Sequence, residues 1–106
     1  MDSFKIIWRG SEIGNYENIV FDMWYIEGDW ISNNSISANE FQATASKLDA
    51  KKVMNDLKCG MKIFLHDNSS TNPPVLAIVY SLDKKFLFVR TVNEKEAIKW
   101  VEDNVD

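Results

Sequence analysis

Apolar and polar residues alternate with period two in FKIIWR, residues 4–9, where Phe4, Ile6 and Trp8 oppose Lys5 and Arg9, as in a half-buried strand. The alternation returns at Met61, Ile63 and Leu65 against Lys62 and His66. The segments that follow each of these are joined by turns too short for a crossover, so neighbouring strands must run antiparallel. Gly10-Ser11 is read as a turn into a second strand over Glu12–Val20, whose sparse apolar content and Gly14 suggest an edge or irregular strand. FDMWYIEGDWIS, residues 21–32, supplies a third strand and ISNNS a loop. After the turn-rich DNSSTNPP, VLAIVYSL is apolar on both faces and reads as a central strand, with LDKK as the hairpin turn to FLFVRTV.

Between the two strand groups the period changes to that of a helix. Ser37 and Glu40 have the spacing of a capping box, and Ala38, Phe41, Ala45 and Leu48 follow at helical intervals. Ala50, Val53, Met54 and Leu57 repeat the pattern, with Asp49 as a possible second N-cap and Cys59-Gly60 as the stop. A last helix, EKEAIKWVEDNV, is expected to be capped by Asn93, with Ala97, Ile98, Val101 and Val105 as its buried stripe and Trp100 at the margin. The expected fold is α+β: an antiparallel sheet of about six strands in the order β-β-β-α-β-β-β-α, with the helices packed on one face. A chain of 106 residues fits a single domain spanning residues 1–106.

Charge and hydropathy exclude several classes of function. The apolar fraction of 45% is that of a globular protein, and the longest apolar runs fall far short of the roughly 20 residues that span a bilayer. No membrane association is expected. A net charge of −4 speaks against nucleic acid, whose phosphates need a basic footprint, and suits a basic partner instead. From Gly10 to Ser46 there is no Lys or Arg, whereas Glu12, Glu17, Asp22, Glu27, Asp29 and Glu40 all lie there. MDSFKIIWRGS lacks the basic-then-apolar layout of a secretory signal, and the lone Cys59 agrees with a reducing compartment, so cytoplasmic residence is the expectation. The glycosylation sequons at Asn33 and Asn68 are then chance matches.

The candidate chemistry is sparse. His66, the only histidine, precedes Asp67, but adjacent strand residues point to opposite faces, and it reads as a strand-end residue rather than a catalytic base. Cys59 at a helix C-terminus sits beside partial negative charge, which disfavours a thiolate nucleophile; a half-buried packing role is expected. Glu27 and Asp29 share a strand face, as a glycosidase or metal site would need, but no third ligand accompanies them and a solvated acidic face is the better reading. No glycine motif has phosphate-loop spacing. No catalytic residue, metal or cofactor is assigned.

The unusual feature is FDMWYIEGDW, residues 21–30. On a strand the even positions Trp24, Ile26, Gly28 and Trp30 share one face, expected to enter the core beside Phe4, Ile6 and Trp8. The odd row of Met23, Tyr25, Glu27 and Asp29 is then a mixed aromatic and acidic surface of the kind used in recognition, unless another strand or loop covers it. A bulge at Gly28 would exchange the faces beyond it.

In size, acidity, Trp-rich strands such as MWYIEGDW and a terminal helix such as EAIKWVEDN, the chain resembles the small acidic immunity proteins that bacteria make against polymorphic or contact-dependent toxins. The resemblance implies inhibition of a basic toxin domain by tight binding, without catalysis. The leading expectation is a binding module for a basic protein, with Tyr25, Glu27 and Asp29 foremost, Met23 beside them, and Glu12 and Glu17 in support. Two other classes stand beside it. One is a small-ligand or enzymatic domain with a pocket between sheet and helices; the other is a structural subunit that buries its apolar odd face in a symmetric homodimer.

Overall fold

The computed structural model describes residues 3–68 and 71–106. Its strands are β1 (Phe4–Trp8), β2 (Ser11–Asp22), β3 (Tyr25–Ser32), β4 (Met61–Asp67), β5 (Val75–Asp83) and β6 (Phe86–Thr91). Its helices are α1 (Ile36–Ala45), α2 (Ala50–Asn55) and α3 (Lys95–Asn104), and a single 3-10 turn at Leu57–Cys59 leads into β4. The DNSSTNPP loop includes residues 69 and 70, which lie outside the described residues, as do Met1 and Asp2.

The strands form a closed barrel in the order β1-β2-β3-β6-β5-β4, with β4 returning to pair with β1 through Phe4↔Asp67 to Ile7↔Phe64. The open sheet with helices on one face is thereby corrected. An inward row of alternate apolar residues is the same whether it faces a helix layer or the far wall of a barrel, so period two could not distinguish the two. What distinguishes them is curvature. Register shifts at Ile6/Ile7, Glu17/Val20 and Val79/Ser81 mark bulges or irregularities, which bend strands and increase their twist. β2 is no edge strand, since it pairs with both β1 and β3, but it is irregular, with a register shift against each neighbour.

The barrel interior holds Ile6, Tyr16, Ile26, Ile63, Leu65 and Val89, all essentially without solvent contact. The Tyr16 hydroxyl donates to the Leu87 carbonyl at 2.6 Å, with the Ile26 carbonyl also at 3.0 Å, so a polar atom in the core is satisfied by the walls. α1 plugs one end. Its Phe41 ring meets Trp8 and Trp30 edge-on, with centroids 5.5 Å and 5.1 Å away. A second cluster lies outside the barrel, where Val53 of α2 and Val101 of α3, with Val105 beyond it, cover the outward residues Leu76, Ile78 and Tyr80 of β5. The helices thus serve two places, an end and a side.

Several boundaries move for identifiable reasons. Ser35, rather than Ser37, caps α1, accepting a hydrogen bond from the Ala38 amide at 3.1 Å. Asp49 caps α2 through the Lys51 amide, as its spacing suggests. Glu94, not Asn93, occupies the cap position of α3 and makes no side-chain cap bond. Cys59 is exposed instead of half-buried, because its turn leaves it on the outside while Gly60 fits against Ile78, Val79 and Val53. β2 extends to Asp22, so Phe21 and Asp22 belong to it and the chain turns at Met23 and Trp24 before β3 begins at Tyr25.

Candidate functional site

Helices cover the barrel beside β5; on the outer face of β2, β3 and β6, Tyr25 and Phe88 are half-buried against that helix-covered cluster, while Val20, Asp22, Glu27 and Phe86 are exposed. Cross-strand register arranges that face in three rows. Glu17 stands opposite Asp29, which stands opposite Phe86; Val20, Glu27 and Phe88 form the next row; Asp22, Tyr25 and Arg90 form the third. Four carboxylates therefore alternate with apolar and aromatic side chains over three adjacent strands.

The parity of β3 is unbroken. Ile26, Gly28 and Trp30 turn inward and are buried, while Tyr25, Glu27 and Asp29 turn outward. The bulge lies opposite, in β2 at Asn18, whose φ of +53° belongs to the left-handed region. Three steps on β2 from Glu17 to Val20 match two on β3 from Asp29 to Glu27, so Glu17, Val20 and Asp22 all share the outer face. Gly28 is needed where the bulge crosses. A Cβ there would lie 2.8 Å from the Glu17 carbonyl oxygen and 3.0 Å from Ile19.

Trp24 departs from its expected place in the core. It lies in the turn, outside the strand that would orient it, and is 42% exposed. Beside it Met23 is 78% exposed with φ of +56°, and Phe21 and Val20 are more than half exposed, so the β2–β3 tip is an apolar promontory adjoining the acidic face.

Within the face, Tyr25 stacks on Phe88 at 5.4 Å with the rings nearly parallel, and both meet Tyr80 edge-on. Burial raises the Tyr80 pKa, opposed by the Arg90 guanidinium. Tyr16, directly inside the wall, has its pKa driven well above the ordinary phenol value by burial and secondarily by the Glu27 carboxylate. Asp29 accepts a hydrogen bond from the Asn18 side-chain amide at 3.0 Å and has the Lys85 ammonium at 3.8 Å. Val20, Asp22, Tyr25, Glu27 and Phe88 line a shallow groove of about 100 Å³.

No family model, curated protein or solved structure matches this chain. The geometry alone therefore describes the face. Of the residues singled out from sequence, Tyr25, Glu27, Asp29 and Glu17 come together on it, with Met23 at its tip. Glu12 does not join them: it pairs across β1 near Ile7 and lies 3.8 Å from the Lys5 ammonium. Val20, Asp22, Phe86 and Phe88 escaped sequence reasoning. The alternation in FLFVRT does place Phe86 and Phe88 opposite Leu87 and Val89, but their neighbours on β3 follow from barrel closure.

His66 lies in β4 opposite Lys5, half-buried, in a strand rather than a cleft. Among the described residues no group of three or more His, Cys, Asp or Glu side chains is placed to hold a metal ion. Nor, among them, is any helix long and apolar enough to cross a membrane.

Proposed function

We propose that this chain is a binding module for a basic protein, and that it inhibits a toxin domain in the manner of the small acidic immunity proteins it resembles. The observation that carries the reading is the outer face of β2, β3 and β6, where Glu17, Asp22, Glu27 and Asp29 interleave with the exposed Val20 and Phe86 and the half-buried Tyr25 and Phe88. Carboxylates attract and orient a cationic partner, raising the association rate, while aromatic side chains supply the area that holds a complex once water is displaced. The same charge pattern disfavours nucleic acid, whose backbone would be repelled.

Closure of the barrel supports a particular mode of contact. A closed barrel offers no free strand edge to a partner, so recognition falls to side chains instead of added β-ladder hydrogen bonds. The apolar tip at Phe21, Met23 and Trp24 continues the face and would enlarge the contact.

The test is affinity capture from the native host, with wild type and a Glu27→Lys/Asp29→Lys double variant as parallel baits, followed by reconstitution with the purified captured protein. The expected result is a basic protein that binds wild type, is lost with the double variant, and weakens steeply with salt. Binding indifferent to both salt and charge reversal overturns the reading. So does a stable homodimer by light scattering that occludes Tyr25.

A further inference from the structure

Resting on that reading, we infer that the groove between β2, β3 and β6 seats the head of one arginine side chain from the partner. Its lining combines two carboxylates, Asp22 and Glu27, with the stacked Tyr25 and Phe88 rings and the Val20 side chain. Neither carboxylate has an ion-pair partner among the described residues, since the nearby Lys85 is engaged by Asp29. The closest cation in register, Arg90, lines a different depression with Trp24 and Ala97 and acts electrostatically on Tyr80. The groove is thus negatively charged, partly apolar and free of its own counter-ion.

Its size sets the occupant. A volume of about 100 Å³ is well below the roughly 300 Å³ at which small-molecule pockets begin, and admits the end of a side chain but no stretch of backbone. A cation fits the charge. Arginine fits better than lysine because its planar, weakly hydrated guanidinium packs against aromatic rings and presents a fork of N–H donors to carboxylates, whereas an ammonium keeps its water more tightly.

The test uses the intact protein and three small probes: N-acetyl-arginine amide, its lysine counterpart and its citrulline counterpart, which keeps the arginine shape without the charge. Each is titrated while backbone and aromatic NMR resonances are followed. The arginine probe is expected to shift Val20, Tyr25 and Phe88 saturably, the lysine probe to bind several-fold more weakly, and the citrulline probe not to bind. Glu27→Gln should weaken arginine binding by roughly fivefold. Glu12→Gln, on another part of the barrel, should leave it unchanged.

Shifts of equal size with citrulline, no saturable shift with arginine, or an unaltered affinity in Glu27→Gln overturn the assignment. Loss of the groove site while the Glu27→Lys/Asp29→Lys bait still fails to retain the basic partner removes the arginine seat and leaves the broader reading of the face standing. If both results are negative, the two fall together.

Discussion

Glu17 faces Asp29 directly across the β2–β3 pair, carboxylate opposite carboxylate, on the outer face of the barrel. Like charges in direct register are unfavourable by a few tenths of a kcal/mol to about 1 kcal/mol. Asn18 and Lys85 relieve Asp29, but among the described residues Glu17 has no comparable contact on this face. Glu17→Gln should therefore stabilise the fold by roughly 0.2–1 kcal/mol in urea denaturation at low salt. The gain should shrink by 0.5 M salt, where screening extends over only a few ångströms. A destabilised variant at low salt would show that Glu17 makes a favourable contact instead. If the face binds a basic protein, the same substitution should slow association, so stability and binding would move in opposite directions.

Tyr16 gives a prediction at high pH. Its hydroxyl lies between the Leu87 and Ile26 carbonyls in the barrel interior, and burial holds its folded-state pKa well above the unfolded value of about 10. Its contribution is complete below that unfolded pKa. Above it the unfolded chain loses a proton that the folded chain keeps, so stability falls as pH rises, by up to about 1.4 kcal/mol per pH unit for one such group. Tyr16→Phe should cost roughly 1–3 kcal/mol at neutral pH and flatten this decline between pH 10 and 11.5. Denaturation midpoints of the two proteins across that range provide the check; a parallel decline would exclude Tyr16 as its source.

Two glycines separate conformational strain from steric contact. Gly10 has φ of +79° with open space where a Cβ would stand, while Gly14, at φ of +137°, would drive a Cβ into the Ile31 carbonyl and to 3.0 Å from the Trp30 indole nitrogen. Gly10→Ala should cost about 1–2 kcal/mol. Gly14→Ala should cost distinctly more, because the β2–β3 contact must open and the Trp30 hydrogen bond to the Ile13 carbonyl is disturbed. Equal losses in chemical denaturation would mean that β2 can shift freely at this point.

The tryptophans divide into two exposure classes. Trp8 and Trp30 are each 3% exposed, while Trp24 and Trp100 are each 42% exposed. Acrylamide should quench a distinct part of the fluorescence, and Trp24→Phe with Trp100→Phe should remove that part. Trp30→Ala should cost about 3–5 kcal/mol as a buried aromatic truncation, and Trp24→Ala much less. A large loss at Trp24 would mean that the tip packs against the barrel.

Strand periodicity revealed the six strands and most of the barrel's inward row, since Ile6, Trp8, Ile26, Trp30, Ile63 and Leu65 repeat at every second residue. It misplaced Trp24 because the position of the turn, not parity, determines where that side chain points. It missed the closed wall because pairing of β1 with β4 links residues about 60 positions apart and has no local signature. The acidic aromatic row was half legible: Tyr25, Glu27 and Asp29 follow from one strand, but Phe88 and Val20 enter only through pairing with β6 and through the bulge at Asn18.

The seam between β1 and β4 bears on how the chain is made. At a synthesis rate of roughly 5–20 residues per second, β1 leaves the ribosome several seconds before its partner strand exists. During that interval β1 has an unpaired flank and an apolar inner face, the combination that invites pairing with other chains. The β1–β4 hydrogen bonds therefore protect a strand made several seconds before its partner. Stalled or truncated products ending before β4 should depend on chaperones in a way that the finished barrel does not.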